Sequence, residues 1–235
     1  MKLLTWNCQF GKASRKWPML VEAIGTDVAF LQEVFAPPSS RGTLWKAVPQ
    51  RKWGSAVVST SAQLNEVSID GYEGWVIGGE LVDGTSAIRC FVFSVHAPTP
   101  SKTAARASYV NEVVKIVEGI HAQVPTGAQL IIGGDFNFAS LGKRQTRETP
   151  ATTAAEKRAL ATIASRGLVP LWEACHSASP LPQTLRWSKN RATPFHCDGF
   201  LVNSTHSPEA LCEVLTSQSI AKSSDHNAVA AWLSI

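Results

Sequence analysis

Leu130-Ile131-Ile132-Gly133-Gly134-Asp135-Phe136-Asn137 is a short apolar run that passes through two glycines into a carboxylate and a carboxamide. A run of this length bounded by glycine predicts a buried strand, and polar groups at its end are held rigidly at the rim of a sheet, where α/β proteins bind ligands. The arrangement recurs along the chain. Leu3-Leu4-Thr5-Trp6 delivers Asn7, Val28-Ala29-Phe30-Leu31-Gln32 delivers Glu33, and Cys90-Phe91-Val92-Phe93-Ser94-Val95 delivers His96. Asp198 sits inside Phe195-His196-Cys197-Asp198-Gly199-Phe200-Leu201-Val202, and Ser223-Ser224 leads into Asp225-His226 ahead of the apolar stretch 228–233.

Asp and Asn are ordinary turn formers and helix caps, so each of these residues taken singly is as well explained by structure as by chemistry. As a set they mean more. Carboxylates and carboxamides beside apolar strands supply the oxygen ligands a hard divalent cation prefers, and the two histidines supply imidazoles that change charge near neutral pH.

Six motifs carry a resemblance that extends from residue 5 to residue 226: Thr5-Trp6-Asn7, Leu31-Gln32-Glu33-Val34, Ser94-Val95-His96-Ala97-Pro98, Gly134-Asp135-Phe136-Asn137, His196-Cys197-Asp198-Gly199-Phe200 and Ser224-Asp225-His226. In this order they resemble the exonuclease/endonuclease/phosphatase superfamily, the fold of deoxyribonuclease I, exonuclease III, apurinic endonucleases, deadenylases, inositol-polyphosphate phosphatases and sphingomyelinases. The resemblance implies an α/β fold, a four-layer α/β/β/α sandwich of two packed mixed β-sheets flanked by helices. It also implies a metal-dependent phosphoesterase. Glu33, with Asn7 and Asp225, is then expected to hold Mg²⁺ or Mn²⁺. His226 is expected as base or phosphate-polarising group, Asp198 as the carboxylate that fixes its tautomer, Asp135 as the group that orients or deprotonates water, and Asn137 as a contact to a phosphoryl oxygen. Exonuclease-III-like members carry a tyrosine where this chain has His96, whereas deoxyribonuclease-I-like and deadenylase-like members carry a histidine. The first of those two branches pairs it with a glutamate from a neighbouring strand, and residues 50–60 here contain no acid. Many relatives also have an aromatic where this chain has Gly199, which leaves space beside Asp198.

At 235 residues and 44% hydrophobic, the chain is long enough for one large core, and no stretch reads as an interdomain linker. A single domain over residues 1–235 is expected. Helical spacing appears over 17–24, 104–122 and 152–166, with Gly167 as a stop; strand-like runs cover 56–59, 75–81, 88–95 and 130–132. The opening residues are too short an apolar run for a secretory signal, and no segment approaches a membrane span. The five cysteines lack C-x-x-C spacing and mostly lie in apolar runs. They read as reduced core residues of a cytoplasmic protein, one with no membrane association and no obligate protein partner, a monomer.

The net charge is a modest +4, yet most of the 22 Lys and Arg fall in the segments 12–16, 41–52, 101–106, 143–148 and 186–191, whose one acid is Glu148. A rim of that sign attracts a polyanion. Lys102, Lys143, Arg144 and Arg186 are the candidate phosphate contacts, and Trp187 a candidate surface for a stacked base. Trp45 and Trp53 also lie among basic residues, while Trp6, Trp75, Trp172 and Trp232 fall in apolar patterns and are expected in the core. Nucleic acid is therefore the expected substrate and nuclease the expected activity. A small or lipid-linked phosphoester hydrolysed by the same chemistry stands as the alternative, and a catalytically silent nucleic-acid-binding protein as a further one.

Overall fold

The computed structural model describes residues 1–82, 84, 88–98, 107–137, 150–176, 181–186, 195–206 and 209–234. In chain order the first half runs β1 (Lys2–Asn7), α1 (Trp17–Ile24), β2 (Val28–Val34), β3 (Thr43–Ala47), β4 (Gly54–Ser59), β5 (Gln63–Glu66), β6 (Val76–Val82) and β7 (Cys90–His96). The second half runs α2 (Ala107–Gln123), β8 (Gln129–Asp135), α3 (Pro150–Ser165), β9 (Leu168–Pro170), α4 (Leu171–Cys175), β10 (Asp198–Asn203), β11 (Leu211–Leu215), α5 (Gln218–Ser223) and β12 (Ala228–Trp232). The strands form two six-stranded sheets, ordered β11-β12-β1-β2-β4-β3 and β5-β6-β7-β8-β10-β9.

Both sheets are mixed, and each has one parallel pair at its centre: β1 with β2, and β7 with β8. Strands β2, β7 and β8 are buried along their whole length, as continuous apolar runs require when one face meets the other sheet and the opposite face meets helices. Between the sheets lie Leu3, Phe30, Val57, Ile77, Val92, Ile131, Phe200 and Val229. Outside one sheet, Trp17 and Val21 of α1 and Ile220 of α5 pack on Leu4, Trp6 and Leu31; outside the other, Val113, Ile116 and Ile120 of α2 and Ala159 and Ile163 of α3 pack on Phe91, Phe93 and Ile132. Four layers result, in agreement with the expected sandwich.

Gly133 is what lets the sheets meet at the centre. A Cβ there would come within 2.7 Å of the Phe30 ring and 2.9 Å of the Phe200 ring, whose own edge-on pairing has centroids 5.7 Å apart. Helix α1 occupies the predicted span, opened by Pro18 and closed by Gly25 in the left-handed conformation at φ +65°. The edge strands β3, β5 and β11 were not legible in the apolar pattern, because each buries too little of its length to carry one. Cys8, Cys90, Cys197 and Cys212 are buried and Cys175 half-buried, all as free thiols. Of the four tryptophans expected in the core only Trp6 is fully buried; Trp75, Trp172 and Trp232 lie half-exposed at its margin. Among the described residues no helix is long and apolar enough to cross a membrane.

Candidate active site

Topology brings the strand-end residues together. Parallel β1 and β2 finish at the same end of their sheet, with Asn7 and Glu33; parallel β7 and β8 finish at the same end of theirs, with His96 and Asp135 in register. Antiparallel neighbours begin where these end, so Asp198, the first residue of β10, pairs with Asp135, and Asp225-His226 immediately precedes β12 beside β1. Beneath this rim a polar bridge crosses from sheet to sheet: Gln32 Nε2 donates to Ser94 Oγ at 3.0 Å, and Ser94 Oγ donates to the Leu31 carbonyl. Unpaired in this apolar setting those groups would be costly, so the bridge fixes where β2 and β7 face each other.

Asp135 is the centre of the cluster. Its Oδ1 accepts from the Asn137 amide at 2.9 Å, and its Oδ2 accepts from Asn7 Nδ2 at 2.9 Å. That same Oδ2 lies 3.8 Å from His226 Nε2 and 3.9 Å from His96 Nε2, and His96 Nε2 stands 3.5 Å from Glu33 Oε1. On the far side of His226, Nδ1 meets both oxygens of Asp198, at 2.9 and 3.0 Å. Asp198 is itself held by Thr184, whose Oγ1 accepts from the amides of Cys197 and Asp198. Asp225, more exposed than the others, comes within 4.0 Å of His226 Nε2.

The chain bends sharply to deliver Glu33. Its φ is +51°, in the left-handed region, and the β2–β4 register slips between Leu31 and Val34, a bulge that turns the carboxylate off the strand face. The loop after β1 wraps around it: the Phe10 amide donates to Glu33 Oε2 at 2.7 Å and the Gly11 amide to its carbonyl at 2.7 Å. Asn137 is also left-handed, at φ +49°, and gives one amide hydrogen to the Ala97 carbonyl.

Burial and like charge leave the acids short of compensation. Desolvation, reinforced by Asp135 and opposed by the Phe10 amide, pushes Glu33 up to about 7, and desolvation together with Asp198 raises Asp135. His226 is buried as well, which alone would lower it, but Asp198, Asp135 and Asp225 outweigh that and lift it to about 10. His96 goes the other way: burial pulls it down to about 4, and its Nδ1 has no hydrogen-bond partner among the described residues. Its ring is enclosed by Trp75 and Trp53, with centroids 5.0 and 5.9 Å away. Residues 50–60 offer this ring an indole, Trp53, and no acid.

A divalent cation fits this donor set. Glu33 and Asp135 are buried with more negative charge than positive around them, Asn7 turns Nδ2 toward Asp135 while its Oδ1 accepts from the Gln9 amide at 2.9 Å, and Asp135, Asp198 and His226 place ligand atoms within 4.8 Å of one another. Within that group Asp198 and Nδ1 of His226 already satisfy each other.

Arg186, expected as a phosphate contact, has its guanidinium engaged by the chain itself. Its guanidinium bonds to the Ser224 carbonyl at 2.6 Å, the His226 carbonyl at 3.4 Å and Asn227 Oδ1, and its amide donates to the Asp225 carbonyl. It fastens the loop that carries Asp225 and His226. Ser224 ties the same loop to β1 through Oγ to the Asn7 carbonyl, and Trp6 Nε1 donates to the His226 carbonyl. Lys102, Lys143, Arg144 and Trp187 lie outside the described residues. Gly199 does open space, for a Cβ there would meet nothing within 4 Å. His196 turns away from the site, its Nδ1 on the Pro182 carbonyl at 2.8 Å.

A fold that carries buried carboxylates and a carboxylate-bound imidazole at one sheet rim is the frame of a phosphoesterase. The chain belongs to the endonuclease/exonuclease/phosphatase family, whose model matches residues 4–226; its members are phosphoric ester hydrolases, nucleases and phosphatases among them. No curated protein sequence matches the chain. Among solved structures it is similar to an AP endonuclease from Archaeoglobus fulgidus, at TM-score 0.74 and 14% identity, with 100% of both chains covered. It is similar also to a 3′-5′ exonuclease from Neisseria meningitidis, at TM-score 0.72 and 16% identity over 100% of both chains. A 3′ phosphatase from Neisseria bound to a product DNA hairpin matches at TM-score 0.73 and 17% identity, again over 100% of both chains.

Proposed function

We propose that this chain is a divalent-metal-dependent phosphodiesterase, and within its family a nuclease that hydrolyses DNA or RNA by attack of water. The observation that carries this is the single rim on which Asp135 stands between a carboxylate-bound imidazole, His226, and the Glu33–Asn7 corner. Mg²⁺ or Mn²⁺, held by Glu33 with Asn7 and Asp225, would supply the positive charge that offsets charge growing on the phosphoryl oxygens. His226, with Nδ1–H committed to Asp198, presents Nε2 to the phosphate. Asp135, fixed by Asn7 and the Asn137 amide, orients the attacking water and accepts its proton. Nucleic acid as the substrate is supported by exposed Lys12, Arg15, Lys16, Arg51 and Lys52, by the endonuclease and exonuclease named among the structures it resembles, and by the DNA hairpin bound in a third.

The test is a panel of single- and double-stranded DNA, RNA, p-nitrophenyl esters and inositol phosphates, each with and without EDTA. Cleavage of nucleic acid should vanish with EDTA and return with Mg²⁺ or Mn²⁺. Log affinity for single strands should fall with log salt at about −0.7 per phosphate contact, while a p-nitrophenyl diester changes little. Hydrolysis of small esters alone, or equal salt sensitivity for both substrates, would replace nuclease with small-phosphoester hydrolase.

A further inference from the structure

The turn after β1 does more than bind Glu33. Gln9 and Phe10 are both left-handed, at φ +46° and +52°, a conformation side chains rarely adopt in succession. The turn aims the Phe10 amide at the Glu33 carboxylate and throws the Phe10 ring outward, 57% exposed. Phe35, two residues beyond Glu33, is 45% exposed and lies over Gly11 so closely that a Cβ there would overlap its ring. The remaining large apolar side chains that are exposed among the described residues are aliphatic: Met19, Val82, Ile88 and Leu211. Both exposed phenylalanines therefore stand at one corner of the site.

Phe10 continues inward. Its ring meets Trp53 at 5.5 Å between centroids, and Trp53 meets Trp75 at 5.9 Å and His96 at 5.9 Å, so an unbroken aromatic row runs from the surface to the imidazole beside Glu33. Acids stand at the inner end of this row, Glu33 and Asp135 beside His96, and cations at its outer end. Lys12, Arg15 and Lys16 are exposed on the same turn, and Arg51 sits 6.0 Å over the Trp53 ring.

We propose that Phe10, Phe35 and Trp53 form a stacking shelf for an unpaired nucleobase, and that the chain acts on single-stranded or locally unpaired nucleic acid. This rests on the nuclease reading and names its substrate class. Aromatic faces interleaved with cations are what a base and its phosphates recognise, and stacking tolerates any sequence because every base has a π-face. In a duplex those faces are covered by neighbouring pairs, so the shelf rewards a base that is free. The Phe10 amide is bonded to the Glu33 carboxylate, which makes the shelf contiguous with the cation corner; the base it holds belongs to a nucleotide flanking the reacting phosphate.

The experiment compares the wild type with Phe10→Ala/Phe35→Ala, Phe10→Leu/Phe35→Leu and Phe10→Tyr/Phe35→Tyr. Binding to a labelled single strand and to the matching duplex is followed by anisotropy in EDTA at low salt, and kcat/KM is followed with metal. Affinity for the single strand should fall ~10- to 100-fold in the Ala variant, as stacking of ~1–3 kcal/mol per base requires. The Leu variant should fall with it despite keeping apolar area, and the Tyr variant should stay near wild type. The single-strand to duplex ratio of kcat/KM should fall in parallel. Equal loss on both substrates, loss on neither, or full binding by the Leu variant would overturn the shelf while leaving the nuclease in place. A wild type that binds and cleaves neither strand form would overturn both.

Discussion

His226 and His96 flank one oxygen, Oδ2 of Asp135, at 3.8 and 3.9 Å; both are buried, and one is held charged while the other is held neutral. What stands behind each ring makes the difference. Behind His226, both oxygens of Asp198 meet Nδ1; behind His96 stand two indole rings and, among the described residues, no partner for Nδ1. Desolvation works against the charged form on both sides, so the carboxylates around His226, with Asp198 the foremost, have to outweigh it, and on the His96 side Asp135 alone does not. One rim thereby holds a protonated and an unprotonated imidazole across a shared carboxylate.

The largest effect should come from removing what distinguishes the two. Asp198→Asn keeps the shape of the side chain and the hydrogen bonds of Thr184 to the backbone beneath it, but it takes the charge from behind His226. Turnover should fall by ~10²-fold or more, with little change in melting temperature, because the imidazole loses its fixed tautomer and its bias toward the charged form. Near-normal turnover would make Asp198 a structural residue only and erase the contrast between the two histidines.

The contrast could be read in the sequence on one side better than on the other. Asn7, Glu33, His96, Asp135 and Asp198 were legible because each closes or opens an apolar run, and the register of a sheet turns that position into a place on the rim. Arg186 was not legible as a fastener. Its partners are mostly main-chain carbonyls of a loop far along the chain, and carbonyls have no sequence identity. The enclosure of His96 by Trp53 and Trp75 was hidden for a related reason: the first lies in a basic loop and the second at the margin of a strand, and only the pairing of β6 with β7 brings Trp75 beside it. The edge strands escaped because exposure removes the alternation that announces a strand.

A smaller effect should follow from loosening His226 without touching its carboxylate. Arg186→Met removes the bonds to the Ser224 and His226 carbonyls and to Asn227, so kcat should drop by about tenfold with KM nearly unchanged. Lost charge-assisted bonds of ~1.5–3 kcal/mol should lower the melting temperature by several degrees. Arg186→Lys restores only part, since an ammonium cannot reproduce the fork. A raised KM with a shallower salt dependence and intact kcat would instead return Arg186 to the role of phosphate contact.

The effect on turnover is smallest in a control on the His96 side. His196 is buried with its Nδ1 on a backbone carbonyl and its ring against Trp172, and burial pulls it down to about 4, as it does His96. It thus separates what burial does from what a catalytic neighbour does. A histidine whose folded value lies below its unfolded one is neutral in both states above about 6.5, so its contribution to stability is complete there. As the pH falls from about 6.5 toward 4, the unfolded chain takes up the proton first, and stability drains away by up to ~3 kcal/mol. His196→Gln can still donate to the Pro182 carbonyl but does not titrate. Denaturant unfolding of the variant should therefore run flatter than the wild type over that window, with the two curves converging as the pH falls. Parallel curves would mean that His196 takes up its proton equally in both states, and that burial alone is not what keeps a histidine neutral in this protein.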